Sequence, residues 1–403
     1  MTRRYRALAV LALAAAMTAT VARAARVPNP FARAHWLLDY RFGFMKRALQ
    51  GEVLVILSRM GVLHLRRDTI FAVAIGVFVT LCAAIAGIAA TTLARDRWSV
   101  PAFAVFGAFV TSAYVVTIAH LMGYLDHLVG LLALAAVWFA MRDRYWAAGV
   151  AITAAVLVHE TVFLTGVPVL LMAIALRPAA PRGRTLIAAL APMILPVIAG
   201  AAIVISEQDP LHRMALRHEL VLRLSAFPWI SGDMNIFVPE WLTTRVVDHF
   251  REEVHAFPSR ITSPGFVLDI VPTMVLLWML SSAFMRWRRD WMAAAAVAIV
   301  LPLSLHMVAF DTAREWTYPL IAGLTCVWVA ARSSGGPAAW TPASRIASVT
   351  VGALVAVCNV FVMRYPLLDG EVDRFGTGMR LLIYAPAMVL AALFLTITRR
   401  EDT

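Results

Sequence analysis

The feature that most constrains this chain is a succession of apolar blocks, each about 16–25 residues long, separated by short polar segments. A helix of about 20 residues crosses the hydrocarbon core of a bilayer. Because lipid offers the backbone no hydrogen-bond partners, such blocks should be helices. Of the 403 residues, 61% are hydrophobic and only 15% are charged, too few for the surface of a soluble domain. The sequence therefore predicts an all-α, polytopic integral membrane bundle that forms one membrane domain over residues 1–403.

The blocks predict about twelve transmembrane helices, or eleven if the first block, which ends in Ala22-Arg23-Ala24, is a cleaved signal peptide. We favour an uncleaved helix. Two long external loops are expected, at 27–68 with an amphipathic interfacial helix and at 206–265. After the first helix, the predicted spans are 69–93, 101–120, one ending at Arg142, two short spans within 146–176, and then 185–205, 266–285, 291–310, 317–331, 346–363 and 380–397.

The net charge of +12 does not indicate a nucleic-acid-binding protein, because the arginines lie in short loops between apolar blocks. Such clusters mark cytoplasmic loops. Compact examples are Arg95-Asp96-Arg97 and Arg142-Asp143-Arg144. The pattern predicts a bacterial inner-membrane protein with both termini in the cytoplasm, and membrane lipid as its surroundings. It also predicts that the acids and histidines outside the arginine clusters gather on the non-cytoplasmic face.

The apolar region 146–176 contains His159 and Glu160 near its middle. A carboxylate at the centre of a bilayer is costly. Splitting the region into two short helices places this pair at an external turn, and intramembrane ionisable residues are candidates for function. We therefore predict that both are site residues.

Asp39 lies among aromatic and basic side chains in Asp39-Tyr40-Arg41-Phe42-Gly43, soon after the first helix. One interpretation is an interfacial belt, in which Arg41 and the basic residues after it contact lipid phosphates. The other is a carboxylate at the membrane–water boundary that acts as a base or a metal ligand, with Arg41 beside it as a substrate-binding residue. The sequence leaves both open.

Two further groups are candidates for substrate binding. Asp126 and His127 follow a tight external turn, although an acid at a helix N-terminus is also ordinary capping chemistry. Asp311 and Arg314 are three residues apart, which suits either a local ion pair or an arginine that binds a lipid phosphate. The three cysteines lie in apolar blocks, and no metal-binding motif is present in the sequence.

This layout resembles the GT-C superfamily of membrane glycosyltransferases, which combine many transmembrane helices with a long first external loop that carries a catalytic acid. The residues that carry the resemblance are Asp39, in DYRFGFMKR after the first helix, and the later external Arg314. The paired acids of many members are absent beside Asp39.

The resemblance implies a lipid-linked sugar donor, in which a polyprenyl phosphate carries the sugar. Asp39 would deprotonate or orient the acceptor, and Arg314 would bind the donor phosphate. His159 and Glu160 would position a sugar hydroxyl or a divalent cation. Alternatives are an O-antigen-type polymerase or ligase, a transporter or flippase of envelope lipids, and a non-catalytic assembly subunit.

Overall fold

The computed structural model describes residues 3–176, 184–230, 232–263, 266–308, 312–361 and 382. This part of the chain is all-α and contains no strand. Its α-helices, in chain order, are α1 (Arg3–Ala24), α2 (Pro30–His35), α3 (Leu49–Arg59), α4 (Arg67–Arg95), α5 (Val100–Val110), α6 (Ala113–His120), α7 (Asp126–Ala140), α8 (Tyr145–Val158), α9 (Val162–Thr165), α10 (Val167–Ala175), α11 (Arg184–Leu190), α12 (Ile194–Ser206), α13 (Pro210–Ser225), α14 (Gly232–Thr243), α15 (Val246–Glu253), α16 (Phe257–Ile261), α17 (Val271–Phe284), α18 (Arg289–Val300), α19 (Thr312–Glu315), α20 (Tyr318–Ser333) and α21 (Pro342–Phe361).

Shorter helical turns join some of these segments. Four have 3-10 geometry (Tyr40–Phe42, Ala191–Met193, Val254–Ala256 and Leu301–Met307), and a π-helical turn, Phe266–Ile270, leads into α17.

Seven helices in the described part of the chain are long and apolar enough to cross a membrane. They are Arg4–Ala24, Arg67–Arg95, Val100–His120, Leu186–Ser206, Phe266–Phe284, Arg289–Met307 and Pro342–Val360. An all-α membrane bundle is therefore the architecture, whereas the count of about twelve spans stays a prediction. The last predicted span, 380–397, lies outside the described residues except for residue 382.

The chain breaks its helix at the carboxylate–imidazole pair, as the sequence predicts. Helix α8 ends at Val158 and α9 begins at Val162, while His159 has extended backbone with φ −163° and ψ 123°. The flanking apolar segments, Tyr145–Val158 and Val162–Ala175, are shorter than a typical membrane span. The break places His159 and Glu160 directly after the last residue of α8.

Helix α20 is the centre of the bundle. All of its residues from Tyr318 to Ala331 are buried, so it is apolar on every side rather than along one stripe. It packs against α4, α10, α17 and α18. Its N-terminus lies beside the turn between α6 and α7, and this position determines where Arg314 and Tyr318 meet the site.

The segment 27–68 is closely packed, both within itself and against the rest of the described structure, while its place at the membrane interface stays a prediction. Its predicted interfacial helix corresponds to α3. A side chain at Gly51 would place its Cβ 1.8 Å from the Leu38 carbonyl oxygen, so only glycine permits this approach. The Trp36 indole donates to the Gly123 carbonyl over 2.7 Å, and Gly123 has a φ of 97°. The Trp36 contact holds the segment against the turn between α6 and α7, whereas the Gly51 contact packs the segment against itself.

The segment 206–265, expected as a long external loop, folds into the helices α13 to α16 where it is described. A buried ion pair joins it to the first loop: Lys46 Nζ lies 3.0 Å from Glu207 Oε1, and Lys46 also donates to the Thr244 carbonyl over 2.9 Å. The Lys46 side chain is therefore committed to protein partners rather than to lipid phosphates.

Candidate functional site

Five ionisable side chains from distant parts of the chain line one small cavity, hereafter the polar cavity. They are His35 at the end of α2, Arg47 before α3, Asp126 at the start of α7, His159 at the helix break, and Arg314 in α19. The cavity is narrow: the space in it that admits the centre of a water molecule is about 10 Å³. Phe31 and Tyr124 supply aromatic walls. Charged groups gathered from separate helices in a partly apolar recess are the usual form of a ligand site.

Arg47 forms a two-pronged ion pair with Glu160. Its Nε donates to Glu160 Oε2 over 3.1 Å, its Nη2 bonds Oε1, and its guanidinium lies 4.2 Å from the centre of the Trp241 ring. Burial raises the pKa of Glu160, but the charge of Arg47 outweighs it and holds that pKa well below its usual range. Arg47 also has a φ of 59°, which is uncommon for a residue with a side chain and is typical of sites that the surrounding structure constrains.

His159 presents a hydrogen-bond donor without a partner in the described structure. Its Nδ1 faces the backbone N–H of Thr161 at 3.3 Å, so this nitrogen is the acceptor. The proton of the neutral ring therefore lies on Nε2. Nε2 is buried and makes no hydrogen bond among the described residues. Because burial, followed by the charge of Arg47, lowers the pKa of His159 to about 3, the ring is neutral at physiological pH.

Asp126 lies between two residues of the central helix region. The Tyr318 hydroxyl donates to Asp126 Oδ1, and Arg314 Nη1 lies 3.6 Å from Oδ2. The Arg314 guanidinium is also 6.0 Å from the centre of the Tyr124 ring. The carboxylate thus orients Arg314 at the floor of the polar cavity while balancing part of its charge.

His35 faces the cavity with the opposite tautomer to His159. Its Nδ1 lies 2.9 Å from the Phe31 carbonyl oxygen, which only accepts, so Nδ1 carries the proton. Its Nε2 consequently carries a lone pair. Gln50 donates to the backbone carbonyls of His35, over 2.7 Å, and Arg47, over 2.6 Å, and so fixes the two residues relative to each other.

A second, narrow recess, hereafter the apolar cleft, adjoins the polar cavity. It runs between α6, α7, α9, α10 and α20, and the space in it that admits the centre of a water molecule is about 40 Å³. Most of its lining is aliphatic, with Val129, Val137 and Ile321 among the contributors. Asp126 and Arg314 line both recesses. Asp126 and Arg314 therefore form a charged floor that the polar cavity and the apolar cleft share.

Asp39 and Arg41 lie apart from these recesses. Arg41 donates to Asp39 from Nε at 3.0 Å and from Nη2 at 2.7 Å, and Arg223 Nη2 is 3.5 Å away. The Asp39 side chain is 1% exposed and lines neither the polar cavity nor the apolar cleft. This carboxylate fastens the first loop to α13; its predicted role as a base and that of Arg41 in substrate binding stay predictions.

His127 lines the apolar cleft rather than the polar cavity. Its two ring nitrogens lie 2.8 Å from the Tyr124 carbonyl and 2.7 Å from the Ile118 carbonyl, so it anchors the turn between α6 and α7. Asp311 lies outside the described residues. Arg314 is paired with Asp126, and the sequence does not indicate this pairing.

In the part of the chain that is described, no group of three or more His, Cys, Asp or Glu side chains is placed to hold a metal ion. The expectation of a divalent cation near His159 and Glu160 stays a prediction. The two residues are themselves close, with Nδ1 and Oε2 3.5 Å apart.

Sequence reasoning brought Glu160, His159, Asp126 and Arg314 forward but missed His35, Arg47 and Tyr318. The interfacial-belt interpretation, one of the two left open, would place Arg47 on lipid phosphates, but its side chain is 6% exposed and pairs with Glu160. The signal available in the sequence was that the Glu160 carboxylate needs a cation near the helix break, and the long segment 27–68 carries several. Nothing in the local pattern distinguishes Arg47 from its basic neighbours.

Comparison of the chain with protein-family models, with curated protein sequences and with solved structures finds no match.

Proposed function

We propose that the protein is a membrane glycosyltransferase that takes its sugar from a polyprenyl-phosphate-linked donor on the non-cytoplasmic face. The observation that carries the proposal is the shared floor of the two recesses. Arg314 and Asp126 line both the polar cavity and the apolar cleft. A ligand with an anionic head and a long hydrocarbon tail satisfies both compartments at once, whereas a fully polar or fully apolar ligand leaves one unfilled.

The head of the donor would lie between arginines. A guanidinium presents a planar set of donors that matches phosphate oxygens. Arg314 faces the floor and Arg47 one wall, and the unpartnered His159 Nε2–H is a further donor. These groups favour the charge that develops on the phosphate when it leaves the sugar, because fixed donors in a water-poor site cost little reorganisation.

The hydrocarbon chain of the donor would occupy the apolar cleft and enter sideways between helices. Because the chain leaves lipid and not water, its burial adds little free energy of binding, and the cleft selects it by shape. The sugar would then project into the polar cavity, where an acceptor hydroxyl meets its anomeric carbon.

Two other functions share part of this chemistry. A polymerase or ligase of envelope glycans would bind a polyprenyl diphosphate, and two arginines suit that head group as well. A lipid transporter is favoured by one observation, the helix broken at a charged pair between α8 and α9, since interrupted helices line many transport sites.

The test is a turnover assay in liposomes. The wild type is supplied in turn with undecaprenyl-phosphate-linked glucose, mannose and arabinose, together with an extract of bacterial envelope glycolipids as acceptor. Mass spectrometry measures the undecaprenyl phosphate released. We expect release from at least one donor, its loss in Arg314→Gln, and its retention in the control Arg217→Gln, whose side chain is 43% exposed.

Each alternative gives a different result. Undecaprenyl diphosphate released from a diphosphate-linked glycan would favour a ligase. Movement of intact donor between the leaflets, with no release, would favour a transporter. The proposal would be contradicted if the wild type neither released undecaprenyl phosphate from any of the three donors nor bound any of them.

A further inference from the structure

We propose that His35 is the proton acceptor of the reaction, with its Nε2 taking the proton of the hydroxyl that attacks the sugar. This inference rests on the proposed function and replaces Asp39 as the base. The reason is that His35 lines the polar cavity and its Nε2 carries a lone pair.

The carboxylates of the region are poorly suited to act as bases. Burial raises the pKa of Glu160 and of Asp126, but the charge of the paired arginine outweighs burial and lowers the pKa of both, so neither carboxylate readily takes up a proton. The pairs are Asp39 with Arg41, Glu160 with Arg47, and Asp126 with Arg314. Asp39 also lies outside the polar cavity.

His35 has the required lone pair in the required place. Its Nδ1–H is used by the Phe31 carbonyl, which fixes the tautomer and leaves Nε2 unprotonated. The residue is 4% exposed and lines the polar cavity, and the Phe31 ring lies 4.4 Å from the imidazole centre to centre. Gln50 holds its backbone carbonyl. Phe31 therefore holds the imidazole in one orientation, and Gln50 holds the backbone of the same residue.

The charged surroundings keep His35 neutral until substrate arrives. Burial, followed by the charge of Arg47, lowers its pKa to about 4. A bound phosphate would partly neutralise the two arginines, so the proton affinity of Nε2 rises when the donor is in place. The titratable and charged groups that face His35 from the surrounding elements are Arg47, Asp126, His159 and Arg314.

The step balances without any further reactant. The acceptor oxygen forms a bond to the anomeric carbon, and its proton moves to His35 Nε2. The bond between the anomeric carbon and the phosphate oxygen breaks, and its electron pair stays on that oxygen. The products are the glycoside, the polyprenyl phosphate and an imidazolium, which returns its proton to water when the products leave.

The experiment compares His35→Asn with wild type in the liposome assay, using the undecaprenyl-phosphate sugar that wild type turns over. An Asn amide can still donate to the Phe31 carbonyl, but it lacks the basic nitrogen. We expect kcat to fall by about 10²–10⁴-fold, the usual contribution of a general base, while binding of undecaprenyl phosphate is retained. His35→Ala should show the same loss, and added imidazole should restore part of its rate. His64→Asn, at an exposed histidine, is the matched control and should behave as wild type.

Wild type supplies a second measurement that needs no variant. Its kcat should fall as the pH is lowered from about 7 to about 4, because protonated His35 cannot accept a proton, and the fall should be absent from the residual activity of His35→Asn. A wild-type kcat that is flat over this range would overturn the assignment even if the variants fail to fold.

Other outcomes separate the inference from the proposed function. Wild-type turnover with normal kcat in His35→Asn overturns the role of His35 and leaves the proposed function intact. Full loss of turnover in Asp39→Asn, with wild-type stability and wild-type lipid binding, returns the role of base to Asp39. Absence of turnover in wild type itself overturns the proposed function, and this inference with it.

Discussion

Arg47 and Glu160 lie 113 positions apart in the chain, yet two hydrogen bonds join the guanidinium of one to the carboxylate of the other. The pair links the segment 27–68 to the break between α8 and α9. It thereby supports His159 and positions Arg47 on the wall of the polar cavity. The geometry of the whole site depends on this link.

The first prediction concerns that ion pair. Arg47→Met leaves the Glu160 carboxylate, which is 23% exposed, without its main partner. Removing one member of a largely buried pair costs about 3–5 kcal/mol, and the remaining exposure of Glu160 favours the lower end. Titration with sodium dodecyl sulfate in mixed micelles measures the free energy of unfolding.

Two further variants complete this test. Arg47→Met combined with Glu160→Leu should recover most of the loss, because no charge is then left unpaired. Arg288→Met, which removes an exposed pair with Asp290, is the control and should cost about 0.5 kcal/mol or less. Equal stability of wild type and Arg47→Met would show that the pair does not hold the loop.

The second prediction concerns the length of the apolar cleft. Ala133 lines the cleft from α7, and a leucine there would fill part of it. Ala133→Leu should weaken binding of undecaprenyl phosphate by more than it weakens binding of citronellyl phosphate, whose tail is short. The same substitution at Ala135, which does not line the cleft, is the control. Equal weakening for both tail lengths would contradict a tail in this cleft.

The third prediction is a pH dependence of stability. The pKa of His35 is about 4 in the folded protein, below the ordinary value of 6.5, so between these values the unfolded chain binds more protons. Stability should therefore fall as the pH drops from about 6.5 to about 4. The contribution of His35 is about 3 kcal/mol at about 1.4 kcal/mol per pH unit. His35→Asn should show a shallower decline, whereas parallel curves for the two proteins would contradict a buried neutral imidazole.

The fourth prediction concerns sidedness. After replacement of Cys82, Cys326 and Cys358 by alanine, single cysteines are placed at the exposed positions Leu211 and Gly335. An impermeant maleimide should label Leu211→Cys in intact spheroplasts and Gly335→Cys only after lysis, as the arginine distribution requires. Labelling of both from the same side would contradict the topology and, with it, an external site.

Sequence patterns predicted the helical membrane architecture and the helix break well, because both follow from solvation. Apolar length fixes which segments suit lipid, and the cost of burying Glu160 fixes where a long apolar region is interrupted. The number of membrane spans follows less directly from apolar length, and the count of about twelve stays a prediction. Central helices such as α20 are enclosed by protein and need not have the length or the composition of a lipid-facing span.

The site was predictable only in part, because its partners are distant in sequence. Asp126 and Arg314 stood out as ionisable residues near apolar blocks, but their mutual pairing depends on how α20 packs beside α7. Local reasoning considers for Arg314 a partner three residues away that lies outside the described residues, and for Arg47 a lipid phosphate as one of two environments. His35 was passed over because a histidine at the end of a short helix carries no pattern that separates a cavity wall from an ordinary surface.

The most direct test of the central claim is to measure, by native mass spectrometry, the binding of undecaprenyl phosphate and of undecaprenol to wild type and to Arg314→Gln. The two lipids share a tail and differ only in the phosphate. A charge-assisted contact worth about 1.5–3 kcal/mol predicts that wild type prefers the phosphate by about 10–150-fold and that Arg314→Gln loses most of this preference. Equal affinity of wild type for the two lipids, or an unchanged preference in Arg314→Gln, would contradict the account.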